Sequence, residues 1–210
     1  MPQNDESQTV ITVLGLPGSV RAGSYTRRAV EVALAGAEAA GARTVLFDPA
    51  KHELPFAYDS KAAYNANVIS MRKAVRSADG LILGTPEYHG GISGVIKNAL
   101  DLMGFDEFEG KMIGLVGVSG GAMGAHDALN TLRTIGRALH AWVVPAQAAV
   151  PQAWDVFGDD GGMTDPALEA RLKGVGQEVA RFARLHKCEE AMKFMDAWEK
   201  AAPNPGGVRD

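Results

Sequence analysis

The sequence predicts an α/β fold: a doubly wound, five-stranded parallel sheet with helices on both faces. Two observations carry that expectation. Short apolar runs, rich in β-branched residues or bounded by glycine, alternate with longer segments whose apolar residues recur at helical spacing. Each run is followed by such a helix, the connection that parallel neighbours need. The size agrees, since 210 residues with 46% hydrophobic and 22% charged side chains make one domain with a substantial core.

The elements follow in order. Val10–Gly15 is a buried strand, and Ser24–Ala40 an alanine-rich helix that stops at Gly41. Thr44–Phe47 is a second strand, closed by Asp48-Pro49. Residues 51–60 read as loop, and Ala62–Ser77 as a helix with Val68, Met71 and Val75 on its apolar face. Gly80–Thr85 is the third strand. Gly91–Met103 is helical, with Ile92, Ile96, Leu100 and Met103 on one side. Phe105–Gly110 reads as an acidic surface loop, Met112–Val118 as the fourth strand, Ala122–Leu139 as a helix and Trp142–Pro145 as the fifth strand. A long irregular segment runs to Gly162, and Thr164 then caps a helix carrying Leu168, Leu172, Val175, Val179 and Phe182. Five strands, each with its helix, imply the flavodoxin-like order 2-1-3-4-5. The domain spans 9–187, between a disordered tail at 1–8 and a stretch at 188–210 that reads as a helix, with Met192, Met195 and Trp198 at helical spacing, and a frayed end. No internal repeat or interior linker is visible.

Composition narrows the function. A net charge of −4 with no Lys/Arg-rich run argues against nucleic acid as a partner. The polar N-terminus lacks a signal pattern, and no run reaches the ~18 apolar residues of a membrane span. The lone Cys188 has no internal partner for a disulfide, so a reducing, cytoplasmic setting is expected. Glycine is in excess: 25 of 210 residues, against a background of about 7%. Eleven of these cluster in the loops after strands one, three and four, where doubly wound sheets bind ligands, and they read as three walls of one site.

Loop one, GLPGSVRAGSYT at 15–26, combines glycines that expose backbone amides with the hydroxyls of Ser19, Ser24 and Thr26 and the guanidinium of Arg21. It leads into a helix N-terminus, so it suits an anion. A plain turn capped by Ser24 is the alternative. The loop is neither G-x-G-x-x-G nor a Walker A sequence. Loop two, from Thr85 to Asp101, places Pro86, Glu87, Tyr88, His89 and Gly90 where planar faces and close-approaching amides could hold a flat heterocycle. Loop three, Gly117-Val-Ser119-Gly120-Gly121, matches the G-x-S-x-G nucleophile elbow, with Asp165 and His186 following in hydrolase order. Too little chain separates His89-Gly90-Gly91 from Ser119 for that fold, and His186 falls near a helix end. His52, His140 and the His126-Asp127 pair read as ordinary surface or packing residues, with no metal set nearby. Trp154 and Phe157 read equally as a cover for the site or for a neighbouring subunit and as ordinary packing.

The stretch Pro86–Asp101 resembles the P-E-Y-x-x-x-x-x-G-x-x-K-N-A-x-D pattern of the NADPH-dependent FMN reductase family, and Gly18-Ser19-x-Arg21-x-x-Ser24 is similar to its phosphate loop. The resemblance, spanning about 9–187, implies a flavodoxin-like FMN-binding domain. Hydride would pass from NADPH or NADH through FMN to an acceptor such as a flavin, quinone, azo or nitro compound or metal oxyanion, in ping-pong fashion and without a dedicated protein acid or base. It implies that Ser19, Arg21 and Ser24, with Tyr25 and Thr26 beside them, hold the FMN phosphate. Pro86, Glu87, Tyr88, His89 and Gly90 would line the isoalloxazine ring, and Ser119, Gly120 and Gly121 its third wall. It also implies a homodimer or homotetramer through the helix carrying Lys97 and Asp101, whose bland alternative is an exposed i,i+4 pair. Thr26 and His89 stand where the family commonly has Asn, and Ser93 where it often has Pro. A non-enzymatic flavodoxin-type electron carrier is the second reading, and a serine hydrolase using Ser119 the third.

Overall fold

The computed structural model describes residues 10–59, 62, 65–158, 162–187 and 193. Strands β1 (Thr12–Pro17), β2 (Arg43–Leu46), β3 (Gly80–Tyr88), β5 (Met112–Val118) and β6 (Trp142–Val150) form one parallel sheet in the order β2-β1-β3-β5-β6. A two-residue strand, β4 (Gly91–Ile92), pairs antiparallel with the end of β3. Setting that stub aside, the order is 2-1-3-4-5, as the sequence predicts.

Alternation along the strands feeds two cores. Val13, Ile82 and Val116 join helices α1 (Tyr25–Ala39) and α7 (Pro166–His186) on one face. Leu14, Leu81, Leu83 and Leu115 join α2 (Ala66–Ser77), α3 (Gly94–Asp101) and α5 (His126–Ala138) on the other. Helices α1 and α7 cross so closely that a Cβ on Gly36 would strike the backbone of Lys173, and one on Gly176 the carbonyl of Ala33. Gly15, Gly84 and Gly117 do similar work against the sheet: their missing side chains make room for Val30 and Leu34, for Val30, and for Ala125 and Leu129. These three are therefore helix–sheet packing positions, not walls of a ligand site, because the space a side chain would need is filled by core carbon.

Four further expectations change. The acidic stretch after α3 is not a surface loop: it folds as α4 (Phe105–Phe108), with Glu107 and Phe108 fully buried. Glu107 accepts the N–H of Gly104 at 2.8 Å and pairs with Arg72 at 2.9 Å and Arg76 at 2.8 Å. Burial opposes its charge, but the Gly104 N–H and the two guanidiniums outweigh burial and hold the carboxyl below its ordinary value. The second helix begins at Ala66, not Ala62, because Asn65 caps it by accepting from the N–H groups of Asn67 and Val68. The last strand runs on to Val150 and is followed by α6 (Ala153–Val156), so the irregular segment is shorter than expected. Asp165, not Thr164, caps α7, its carboxylate accepting from Ala167 and Leu168, while Thr164 donates to carbonyls at 155 and 156. The expected tail at 1–8 and, apart from residue 193, the expected helix and frayed end over 188–210 lie outside the described residues.

Candidate functional site

The three strand-to-helix loops meet at the carboxyl edge of the sheet. Loop one is fixed by its own backbone: Gly18 N–H donates to Gly84 O at 2.7 Å, binding it to the end of β3. Ser24 caps α1, its Oγ accepting from Arg27 N at 3.3 Å, and Ser19 Oγ accepts from Arg21 N at 3.3 Å. A hydroxyl that accepts one bond still carries a proton to donate, so both serines retain a donor for an anion. The Arg21 side chain is exposed and has no ion-pair partner among the described residues. Thr26 is 2% exposed, and its hydroxyl makes no hydrogen bond there either.

Loop two is a hairpin. Glu87 pairs with Ile92 and Tyr88 with Gly91, which leaves His89 and Gly90 as a two-residue connection. Their φ angles are 53° and 73°, as a type I′ turn requires. Asn-Gly is the favoured pair for such a turn, and His is among the few side chains that tolerate left-handed backbone. His89 standing where the family has Asn is thus a conservative change for the turn. Glu87 has a structural duty as well: Ala125, the residue that precedes α5, has no side chain to cap it, and Glu87 Oε2 accepts the N–H of Ala128 at 2.9 Å in its place. Ser93 joins loops one and two. Its N–H donates to Thr85 Oγ1 at 3.1 Å, and its Oγ accepts from Ile96 N at 3.2 Å and donates to Gly18 O at 2.6 Å.

Loop three is closed by the chain after β6. Ser119 N–H donates to Val150 O at 2.9 Å, and Ala153 N–H to Ser119 O at 3.1 Å. The Ser119 hydroxyl is occupied by Gly121, accepting from its N–H at 2.9 Å and donating to its carbonyl at 3.0 Å. Asp165 is engaged as the α7 cap. His186 ends α7 beside Trp142, at the amino end of β6, whereas Ser119 follows the carboxyl end of β5. The sheet therefore separates the members of the supposed triad.

Ten of the thirteen residues expected at the site line one cleft of about 200 Å³: Ser19, Arg21, Ser24, Tyr25, Thr26, Pro86, Glu87, Tyr88, Ser119 and Gly120. His89 and Gly90, at the hairpin tip, and Gly121 are outside its lining. Val118, Ala153 and Trp154 complete it. Trp154 is 56% exposed and sits on Gly120, where a Cβ would come within 2.6 Å of the indole Cζ3. Only a glycine lets the ring approach so closely. Tyr25 stacks on Phe157 at 5.7 Å, tying loop one to the segment after α6. That segment was legible only as an aromatic pair in a loop. Its contact with Gly120 depends on how far β6 extends.

Beyond Tyr88 the cleft meets a larger cavity of about 600 Å³, lined mainly by apolar groups that include Pro49, Leu54, Phe56 and Val95. His52 stacks on Phe47 at 4.5 Å and His140 on Phe105 at 4.4 Å, so both have packing roles. Among the described residues no three metal-ligating side chains come together, and no helix is long and apolar enough to cross a membrane.

A parallel sheet in this order, with a hydroxyl- and arginine-bearing loop after its first strand, defines a flavodoxin-like α/β protein. The family model "NADPH-dependent FMN reductase" matches residues 11–155. The chain is 31% identical over 180 residues to the NADPH-dependent FMN reductase ArsH of Shigella flexneri, covering 83% of this chain and 69% of that one. It is 36% identical over 118 residues to an FMN-dependent NADPH-azoreductase of Staphylococcus aureus, a match spanning 55% of this chain and 62% of the azoreductase. Among solved structures, the flavoenzyme NAD(P)H:(acceptor) oxidoreductase FerB of Paracoccus denitrificans shares the fold, with a TM-score of 0.69 at 24% identity over 84% of this chain and 99% of that one. The chain belongs to the NADPH-dependent FMN reductase family. It is an oxidoreductase, with FMN as cofactor and NAD(P)H as donor.

Proposed function

We propose that the cleft between the three loops holds FMN, with its phosphate at Ser19, Arg21, Ser24 and Thr26 and its ring between Pro86–Gly90 and Ser119–Gly121. One observation carries the reading: an anion-suited donor set and a planar-walled cleft, contributed by loops far apart in sequence, share one opening. Bound there, FMN would supply the hydride-transfer chemistry between a nicotinamide donor and an acceptor. The chain's own part is positional. The serine hydroxyls, the unpaired Arg21 and the α1 N-terminus favour the phosphate dianion. The Ser93 bridge keeps loops one and two in register, and Tyr88 and Trp154 bound the ring.

The acceptor we propose is a flat aromatic molecule, a quinone or azo compound, because the cavity beyond Tyr88 is predominantly apolar. Donor and acceptor then use the same flavin face in turn, which makes the kinetics ping-pong. A homo-oligomer through α3 accords with Val20, Phe56 and Tyr58, which are 57%, 82% and 97% exposed on this side of the molecule. Lys97 and Asp101, paired at 2.7 Å with both side chains solvent-accessible, would lie at that contact.

The test is anaerobic stopped-flow of the FMN-loaded protein against NADPH and NADH, followed by reoxidation with a panel of quinones, azo dyes, nitroaromatics and metal oxyanions. Direct bleaching of the flavin, then parallel double-reciprocal lines with quinone or azo substrates, is expected. A protein with no affinity for added FMN would remove the reading. A flavin bleached only through a separate reductase would make the chain a carrier.

A further inference from the structure

We infer that Asn98 is a positioning residue that sets the range of acceptors: it fixes Phe56 as the outer wall of the apolar cavity, against which an uncharged, two-ring aromatic acceptor stacks. The inference rests on the reading of that cavity as the acceptor site; neither Asn98 nor Phe56 lines the flavin cleft. Residues 47–58, between β2 and α2, form no helix or strand, yet they are held at several points. Asn67 Nδ2 donates to Glu53 O at 3.0 Å, and Pro55 restricts its own backbone and that of Leu54. Asn98, on α3, spends both ends of its carboxamide on the residues flanking Phe56. Its Nδ2 donates to Pro55 O at 2.9 Å, and its Oδ1 accepts from Ala57 N at 2.9 Å. One side chain thus fixes the backbone on both sides of a single aromatic ring.

That ring is exposed, belongs to neither core, and is stacked on by no other ring among the described residues. Burial therefore does not explain why it is held; the cavity that it lines does. Tyr88 lines both the cavity and the flavin cleft, so a planar molecule would meet one aromatic wall at the flavin end and another at Phe56. Offset or edge-on contacts between rings favour such a molecule beyond the area it buries. Ligand pockets span about 300–1,000 Å³, and this cavity of about 600 Å³ has room for two rings. Among the described residues that line it, Glu53 brings a carboxylate, and no lysine or arginine answers it. An acceptor carrying a carboxylate or sulfonate, or a metal oxyanion, meets repulsion there without a counter-charge.

The experiment follows reoxidation of the NADPH-reduced, FMN-loaded protein by stopped flow, which gives each acceptor an apparent Kd and a limiting rate. The acceptors are menadione, 1,2-naphthoquinone-4-sulfonate as an anionic two-ring quinone, and ferricyanide as an oxidant with no ring to stack. Wild-type protein should bind menadione at least about tenfold more tightly than the sulfonate. Asn98→Leu and Phe56→Ala should each raise the menadione Kd about tenfold, the size of a lost aromatic contact, with limiting rates within about twofold and ferricyanide reoxidation unchanged. The double variant should be no weaker than Phe56→Ala, because Asn98 acts through the ring. Asn98→Asp keeps the acceptor for the Ala57 N–H and loses the donor to Pro55, so it should raise the menadione Kd as well and tests the clamp even if the leucine variant fails to fold. Effects that multiply in the double variant, an equal loss with ferricyanide, an unchanged menadione Kd, or equal binding of menadione and the sulfonate would each overturn the inference. So would an altered sedimentation coefficient in Asn98→Leu or Phe56→Ala, which would make Phe56 a subunit contact. A protein that bound no FMN, or whose flavin NADPH left unbleached, would remove the flavin reading before any acceptor was added. Normal bleaching followed by any of those contrary results removes this inference alone.

Discussion

Removing the Ser93 hydroxyl should loosen the site from a position outside the lining of the flavin cleft. Ser93 is 4% exposed, and its Oγ both caps α3 through Ile96 N and donates to Gly18 O. Ser93→Ala loses the cap, worth about 1 kcal/mol, and leaves the buried Gly18 carbonyl without this donor, at about 1–3 kcal/mol. The expected loss is therefore about 2–4 kcal/mol, a sizeable share of the roughly 5–15 kcal/mol that holds a domain together. Urea unfolding should show it as a lower midpoint at constant slope. Because Gly18 immediately precedes Ser19, FMN affinity should fall as well, and saturating FMN should restore part of the lost midpoint. Ser93→Pro is the informative companion. The ring accepts the observed φ of −68°, but the variant also loses the N–H donated to Thr85. It should be less stable than the alanine variant by about 1 kcal/mol. A Ser93→Ala loss below about 0.5 kcal/mol, with unchanged FMN affinity, would refute the bridging role.

Other consequences are more local. Arg21→Ala should weaken FMN binding by about 1.5–3 kcal/mol, read by flavin fluorescence titration, with little change in melting of the flavin-free protein. His89→Val should destabilise the hairpin by about 1–2 kcal/mol because a β-branched residue resists φ of 53°, whereas His89→Asn should melt no lower than wild type. Glu107 is a carboxyl whose folded pKa is lowered, so its stabilisation is present above its unfolded value near 4.5 and is lost as the pH falls through the folded value. Glu107→Gln should flatten that acid limb of the stability profile; an unchanged limb would place the acid sensitivity elsewhere. FMN binding should quench the Trp154 emission, and Trp154→Phe should reduce the change by the share that Trp154 contributes, Trp142 lying at the amino end of β6 away from the cleft.

The strand order, the two faces and most of the cleft were legible because they depend on periodicity and loop position. Alternating residues such as Val13 and Leu14 enter opposite cores whatever the details of their neighbours. What was not legible depended on contacts between distant segments. Glu107 reads as one more acidic residue until Arg72 and Arg76 of another helix are placed against it. Trp154 reads as loop until β6 is seen to continue five residues past Pro145 and deliver it onto Gly120. Thr164 and Asp165 are both good caps, and only the observed backbone chooses between them.

The glycines show how one compositional signal can carry two physical meanings. Gly15, Gly84 and Gly117 sit in or beside the predicted ligand loops, yet each is occupied by the packing of a helix on the sheet. Gly90 and Gly120 belong to the loops for different reasons, a positive φ and the approach of an indole. The two roles are still connected. Close packing at Gly15 and Gly84 draws α1 against β1 and β3, and that seats the α1 N-terminus beside the hairpin carrying Glu87 and Tyr88. Enlarging Gly84 would strike Val30 and crowd Thr26, whose methyl lies 3.2 Å from the added Cβ. Gly84→Ala should therefore weaken FMN binding without removing any group that touches it. A variant that loses stability but keeps full FMN affinity would show that helix packing and the phosphate end of the cleft are independent.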